Sequence, residues 1–361
     1  MRLLLLPKYG PLGNSSRYRL YAYVPFLEEC GFECKSQLLL TDAYVKAIYD
    51  PYSPARAVAR LTPQIIAAYA RRFVSLVRDA RSYDAILLQY EALPYLPMAF
   101  ERALFRSNPR VAVDYDDAVN VHYADHGNAA VRLLLRSKIG EVVRASRGVV
   151  VGNHTLRAWA GQINPHVTLV PTSIDLKRYA DQHAVAKPAK PIIGWIGTPH
   201  TAKFLYLLQE PLRALRAEQD FTLRVIGVPG FRMTGVDVEA VPWSPETEVR
   251  DLIGCDVGVM PLFDGSFERG KSALKIIQYL AAGVPAVASP VGANCDVIAD
   301  GYNGFLAASP DDWLRKIRVL ISQPETAREF ARRGRRLVEQ EYSLQSNAPK
   351  LASILKVVAG S

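Results

Sequence analysis

Short apolar runs alternating with longer segments of helical period, along almost the whole chain, restrict what this sequence can fold into more than any other feature. The first half reads RLLLLP (2–7), RLYAYVPFLEEC (19–30), CKSQLLL (34–40), AILLQ (85–89), VAVDY (111–115), RLLLRSKIGEVVRAS (132–146), GVVVGN (148–153) and VTLVPT (167–172). This is the βαβ rhythm of a parallel sheet. It stops at DQHAVAKPAKP (181–191), which has two prolines and no apolar period and reads as a linker. It then restarts with PIIGWIG (191–197), FLYLLQEPLRALRAE (204–218), TLRVIGV (222–228), VEAVPW (238–243), DVGVMPL (256–262), KSALKIIQYLAAG (271–283) and PAVAS (285–289). From Pro310 the chain is mainly helical, with a basic amphipathic stretch at 328–342 and a last helix at 347–358. The expected architecture is α/β, with two Rossmann-like domains facing across a cleft.

A length of 361 residues is too great for one ordinary core. The predicted boundaries are 1–180, 181–345 and a C-terminal helix, 346–361, that packs back toward the first domain. With 49% hydrophobic and 22% charged residues the chain has a globular balance. The opening MRLLLLPKYG is broken by Pro7 and Lys8 and reads as a buried strand rather than a signal peptide. No stretch approaches the roughly 20 apolar residues of a spanning helix. Four cysteines do not make a disulfide scaffold, and Cys30 and Cys34 have neither zinc nor redox spacing. A cytoplasmic protein is expected.

Residues 1–180 carry 23 Lys+Arg against 15 Asp+Glu, whereas residues 181–361 carry 21 against 20. A basic first half raises the local concentration of anionic partners, which suits an anionic or lipid-linked acceptor and peripheral contact with the inner membrane face. No zinc finger, helix-turn-helix or aromatic RNP-like stretch accompanies the charge, so nucleic acid is not the expected partner.

Three segments carry anion-binding chemistry. In GKSALKIIQYLAAG, Gly270, Lys271 and Ser272 are read as opening a helix with Ser272 as N-cap and Gly283 closing it at C′. A helix start exposes free N–H groups and partial positive charge, and with Lys271 beside it and Lys275 one turn on, this suits a diphosphate. In GWIGTPHTAK (194–203) a strand ends at Gly197, and Thr198, His200 and Lys203 follow on the way to the next helix. Two such sites in one half point to one shared phosphate ligand. In KYGPLGNSSRYR (8–19), Gly10 and Gly13 permit close backbone approach, and Asn14, Ser15, Ser16 and Arg17 supply donors. The loop does not match G-x-G-x-x-G, so no dinucleotide cofactor is indicated. VDYDDAV puts Asp114, Asp116 and Asp117 at a strand end, where carboxylates hold a sugar hydroxyl, accept a proton or bind a divalent metal. His122 and His126 have helical spacing but no third ligand, and Asp125–Asn128 reads as a turn, so no metal is expected.

The order of GNSSRYRLYAYVPFLEECGF, VDYDDAV, VVVGNHTLRAWA, VTLVPTSIDLKRY, IIGWIGTPHTAKFLYLL, CDVGVMPL, KIIQYLAAGVPAVASPVG and DGYNGFLA resembles glycosyltransferase family 4 over nearly the whole chain. These are retaining enzymes of the GT-B fold. The resemblance implies that Gly13 and Lys203 embrace a donor diphosphate. It departs in three places. Gly197–Thr198 stands where the family has Gly-Arg, with Lys271 or Arg269 as the replacing cation. The family's Glu-any-seven-Glu falls on Gly270 and Gln278, leaving Gln278 for the donor ribose and Glu268 as the nearest acid for the sugar. The family's strand-end histidine aligns with Asp116.

The implied activity is retaining transfer of a hexose-type sugar from a nucleoside-diphosphate donor to a hydroxyl acceptor, in cell-surface glycan, glycolipid or glycosylated metabolite synthesis, without cofactor or metal. Asp116, Lys203 and Lys271 are the expected catalytic residues. Two alternatives are a sugar-nucleotide epimerase or hydrolase, which needs no acceptor, and a non-catalytic donor-binding partner subunit, suggested by the two missing glutamates.

Overall fold

The computed structural model describes residues 1–50, 52–180 and 190–360. The linker read at 181–191 lies outside them except for Lys190 and Pro191. The chain divides into two compact units, one of Met1–Ser173, Arg269–Ser272 and Leu344–Ser361, the other of Ile174–Glu268 and Ala273–Ser343.

The first unit holds a parallel sheet of β1 (Arg2–Leu6), β2 (Glu33–Ser36), β3 (Ala85–Gln89), β4 (Val111–Tyr115), β5 (Gly148–Val151) and β6 (Val167–Leu169), in the order β2-β1-β3-β4-β5-β6. Every residue of β3, β4 and β5 is buried, as a strand covered on both faces requires. Its helices are α1 (Asn14–Arg19), α2 (Val24–Glu29), α3 (Asp42–Ile48), α4 (Pro54–Arg60), α5 (Thr62–Arg78), α6 (Met98–Ser107), α7 (Val119–Ala124), α8 (Ala129–Leu135), α9 (Lys138–Ala145) and α10 (His154–Gly161). Between residues 41 and 84, where the strand rhythm pauses, α3 to α5 fill the gap.

The helix read across 132–146 is broken into α8 and α9. Leu133 and Leu134 are 79% and 63% exposed, whereas Lys138 turns inward, 2.7 Å from Glu91 and 3.1 Å from Glu101. Lys138 shares that inward face with Leu135, Ile139, Val142 and Val143, so the face combines a buried ion triad with apolar packing.

The second unit repeats the plan with β7 (Ile192–Ile196), β8 (Thr222–Ile226), β9 (Val238–Val241), β10 (Val257–Met260), β11 (Ala286–Ala288) and β12 (Phe305–Leu306), all parallel, in the order β12-β11-β10-β7-β8-β9. Around them lie α11 (Gln209–Glu218), α12 (Glu248–Ile253), α13 (Leu274–Ala281), α14 (Asn294–Val297), α15 (Pro310–Ser322) and α16 (Pro324–Glu341). Residues 202–208, read as the start of a helix at 204, form a tight 3-10 stretch before α11. The last helix, α17 (Leu344–Ala359), belongs to the first unit, where Leu351, Leu355 and Val358 pack with Leu5, Leu87, Ala112 and Val150. Among the described residues no helix is long and apolar enough to cross a membrane.

In each sheet the strand order reverses once, between β1 and β3 and between β7 and β10, and a crevice forms at such a reversal beyond the strand carboxyl ends. β7 and β10 pair only at Ile193–Val257 and Gly194–Gly258. Beyond that they are joined through Tyr279 of α13, whose hydroxyl accepts from Ile196 N and donates to Val259 O, both at 3.2 Å. The ring needs Gly258 beneath it, since a Cβ there would sit 2.3 Å from Tyr279 Cγ. Tyr279→Phe leaves a buried amide without its partner. We expect a loss of about 1–3 kcal/mol in urea unfolding, the cost of one buried unsatisfied group.

Candidate ligand sites at the strand ends

In the first unit the β1–α1 loop is shaped by packing. A Cβ on Gly10 would lie 2.4 Å from Asp42 Oδ1, and one on Gly13 would lie 2.5 Å from Tyr9 Cβ. Asp42 Oδ1 also accepts from Leu12 N at 3.0 Å. The glycines therefore let the loop fold onto Asp42 and Tyr9. Gln89, at the end of β3, accepts from Lys8 N at 2.9 Å and from the Ser16 hydroxyl at 2.6 Å, tying the loop to the neighbouring strand. Arg17 donates to Asn14 Oδ1 at 3.1 Å.

The three aspartates at and just beyond the end of β4 have different roles. Asp114 is not a ligand-facing acid. It is fully enclosed in a two-point pair with Arg19 at 2.5 and 3.0 Å, and Arg19 also donates to Val170 O at 2.7 Å. Asp116 is 4% exposed and accepts from the Tyr90 hydroxyl, which is itself hydrogen-bonded by Ser15. Burial, then the charge of Asp117, pushes the Asp116 carboxyl up from 3.8 to about 7, although Arg19 opposes the shift. A carboxyl that titrates near neutrality can take or give a proton, the property expected of a group beside a reacting hydroxyl.

Tyr90 was not evident from the sequence. It follows β3 with φ +61°, as Tyr95 does with φ +60°, a conformation that costs energy outside glycine. The surrounding residues enforce it. Glu101 accepts from Ala92 N and Leu93 N at 2.8 and 2.9 Å, Lys138 donates to Leu93 O at 2.7 Å, and Tyr115 donates to Tyr90 O at 2.8 Å.

The segment Arg269–Ser272 is also part of this unit. Asn153, past the end of β5, caps α10 and donates to Gly270 O at 2.8 Å and Lys271 O at 3.3 Å. A Cβ on Gly270 would lie 2.5 Å from Ala118 Cβ. This overturns the reading of Ser272 as N-cap. The contacts to Asn153 and Ala118 hold 269–272 out of the helix, and α13 begins at Leu274 after Ala273, which has φ +51° and no capping side chain. It also corrects the pairing of Lys271 with Lys203 in one half. Lys271 and Ser272 belong to the first unit and Lys203 to the second. Gly283 takes φ +69° just past the end of α13, as a C′ glycine does.

In the second unit, Gly197, Thr198, His200 and Lys203 follow β7 at the strand reversal. Gly197 is required: a Cβ would meet the Trp195 ring at 2.4 Å and Thr201 Oγ1 at 2.8 Å. Part of the loop's backbone is bonded within the loop itself. Thr198 N donates to Thr201 Oγ1 at 3.0 Å, and Thr201 N and Ala202 N donate to Thr198 O at 2.9 and 3.1 Å. Lys203, beyond these bonds, is exposed. Lys275 of α13 puts its ammonium 5.6 Å over the same Trp195 ring, so the Gly197 loop and α13 converge on one buried indole. Gln278 is 3% exposed on α13, and Glu268 lies where a Gly265 Cβ would be 2.4 Å from its Oε2.

His122 ends the row of candidates. It lies in α7 while His126 lies beyond it, their rings 5.5 Å apart, and Tyr95 shares a 2.9 Å hydrogen bond with His122. Cys30, Cys34, Cys255 and Cys295 are free thiols.

Residues 190–323 match the family model described as glycosyl transferases group 1. Sucrose-phosphate synthase of Thermosynechococcus elongatus superimposes with a TM-score of 0.69 at 15% identity, over 100% of both chains. HepE of Anabaena in complex with UDP-glucose gives 0.68 at 15%, over 99% of this chain and 100% of that one. A glycosyltransferase of Rickettsia africae gives 0.67 at 13%, over 99% and 98%. A search among curated proteins returned no match. At these identities the likeness is one of fold: the chain has the α/β GT-B fold of two Rossmann-like units.

The folded state holds the Asp116 proton to higher pH than the unfolded chain does. Stability contributed below about pH 4 is therefore lost as pH rises toward 7. Asp116→Asn removes that loss, so its urea midpoint should change less than the wild type's between about pH 5 and 8. Parallel pH profiles would rule out Asp116 as the source.

Proposed function

We propose that this protein transfers a sugar from a nucleoside-diphosphate-sugar donor to a hydroxyl acceptor, with retention at the anomeric carbon. The observation that carries the reading is the match of residues 190–323 to group 1 glycosyl transferases, a span that contains both the Gly197 loop and α13 converging on Trp195. The GT-B fold and the UDP-glucose held by one structural neighbour support a nucleotide sugar as the donor.

In this reading Lys203, Lys271 and Lys275 neutralise the departing diphosphate, where charge develops and fixed cations lower the barrier most. Thr198, His200, Arg269 and Ser272 contribute further polar contacts to the donor, as do Gly13, Asn14, Ser15 and Arg17 of the β1–α1 loop. Gln278 holds the donor ribose in place of the family's acid, and Glu268 is the acid nearest in sequence to the missing sugar contact. Asp116, with Asp117 beside it, binds or polarises the reacting sugar or acceptor hydroxyl. Its carboxyl, poised at about 7, accepts the acceptor proton as the new bond forms. The donor is a substrate, and the scheme uses no cofactor or metal. The surplus of basic residues in the first half favours an acceptor that is anionic or lipid-linked.

Thermal unfolding with UDP-, GDP-, ADP- and dTDP-linked sugars tests the donor site. A ligand at ~100-fold over Kd adds about 2.7 kcal/mol to the folded state, a resolvable rise in midpoint. One nucleotide should produce that rise in the wild type, and both Lys203→Ala and Lys271→Ala should lose most of it. No rise with any donor would overturn the assignment.

A further inference from the structure

We infer that the acceptor is a sugar carrying a carboxylate or phosphate, and that Lys8, Tyr9, Tyr44 and Tyr95 of the first unit recognise it, an inference that rests on the transfer reading above. Three polar side chains in the loop after β1 and on α3 are left unmatched by the fold. The Lys8 ammonium lies 5.3 Å from the ring centre of Tyr9 and 5.9 Å from that of Tyr90, and among the described residues no carboxylate pairs with it. The rings of Tyr9 and Tyr44 stack 6.3 Å apart at 16°, and neither hydroxyl has a hydrogen-bond partner among the described residues. All three side chains are half-buried. Burial, then the charges of Glu91 and Asp117, push the Tyr9 hydroxyl up to about 12, so it stays a donor. Enclosed polar groups are ordinarily matched, and three unmatched ones together point to a ligand that matches them.

Tyr95 supplies the apolar part of the ligand's surroundings. It is 50% exposed, yet its ring is clamped: the hydroxyl bonds His122 Nε2 at 2.9 Å, and the rings of His122, Tyr123 and His126 meet it edge-on at 6.2, 5.5 and 6.1 Å. Its backbone N donates to the Tyr123 hydroxyl at 2.9 Å and its φ is +60°. A strained backbone that holds a ring toward solvent does nothing for the core, and such strain persists where a ligand needs a fixed surface. An immobile aromatic ring stacks against the apolar face of a sugar, the surrounding hydroxyls bond its hydroxyl groups, and the lysine takes a negative substituent. The charge of Lys8 also acts on Tyr44, Tyr95 and His122, so these groups surround one spot. Tyr90, beside Lys8, bonds Asp116, which sets an anion at Lys8 one side chain from the carboxyl that accepts the acceptor's proton. The donor diphosphate has cations of its own in Lys203, Lys271 and Lys275, and Lys8 is left to the acceptor.

Saturation-transfer NMR on the full chain, without donor, compares three probes: a methyl hexoside, a methyl hexuronide and a hexose phosphate. One of the two charged probes should bind about tenfold or more tightly than the neutral one, as a charge-assisted contact provides, and which of them does so separates carboxylate from phosphate. Lys8→Met, which keeps the apolar stem, should bring that probe down to the neutral level, Lys8→Arg should retain the preference, and Tyr95→Ala should weaken all three. The thermal midpoint of Lys8→Met, and its rise with donor, should stay near the wild type's. No binding of any probe, equal binding of neutral and charged probes, or a preference that survives Lys8→Met overturns the proposal. So does a donor-induced rise that Lys8→Met abolishes, which would give the lysine to the donor. The probes are read without donor, so acceptor recognition can fail while donor binding and sugar transfer stand, and the reverse.

Discussion

Parallel pairing is the constraint on which the other features depend. When every strand of a sheet runs the same way, all the carboxyl ends lie at one edge, and the single reversal of order parts two neighbouring connections there. That parting leaves backbone polar groups that must be met by something other than a strand. In the second unit the hydroxyl of Tyr279 meets them, bridging Ile196 N and Val259 O. In the first, Gln89 does comparable work, its side-chain oxygen accepting from Lys8 N and Ser16. The candidate ligand residues sit directly beyond these two fasteners. The elements that close the sheets are thus the ones that fix the positions of Gly197, Lys275, Ser15 and Tyr90.

Strain and buried charge gather at the same edges. Among the described residues three non-glycines take a left-handed backbone: Tyr90, Tyr95 and Ala273. The first two follow β3, and the third precedes α13. Around the first of them the Lys138–Glu91–Glu101 triad and its bonds to the backbone hold residues 91–93 in place. Removing one member of such a triad leaves an uncompensated buried charge, which costs far more than the triad contributes as a unit. Its role is therefore positional: it fixes the loop that presents the Tyr90 hydroxyl to Asp116. Burial then raises the Asp116 carboxyl toward neutrality, which a solvated aspartate at a loop tip would not show.

Much of the architecture is legible residue by residue. AILLQ and VAVDY coincide with β3 and β4 because all five residues of each are buried, so the apolar run and the strand are the same object. What is not legible depends on contacts distant in sequence. Nothing local in GKSALK reveals that Asn153, more than a hundred residues earlier, holds Gly270 and Lys271 out of the helix and into the first unit. VDYDDAV presents three aspartates alike, and only the partner Arg19 separates the structural Asp114 from Asp116. Tyr90 carries no motif, because its significance lies in φ and in a hydroxyl partner 26 residues away. α5 buries Arg72 beside Ala68 and Leu76, an inward arginine that no helical period announces, since its partners are the distant carbonyls of Pro7 and Gln37.

The account rests on sugar transfer with retention, and its most direct test is the product itself. Purified protein would be incubated with the donor that stabilises it and a panel of neutral, anionic and lipid-linked hydroxyl acceptors, and the product examined by proton NMR at the anomeric position. The account predicts a new glycoside, formed only when acceptor is present, with the anomeric configuration of the donor. Free sugar released without acceptor, an inverted linkage, or bound donor that is never consumed would contradict it.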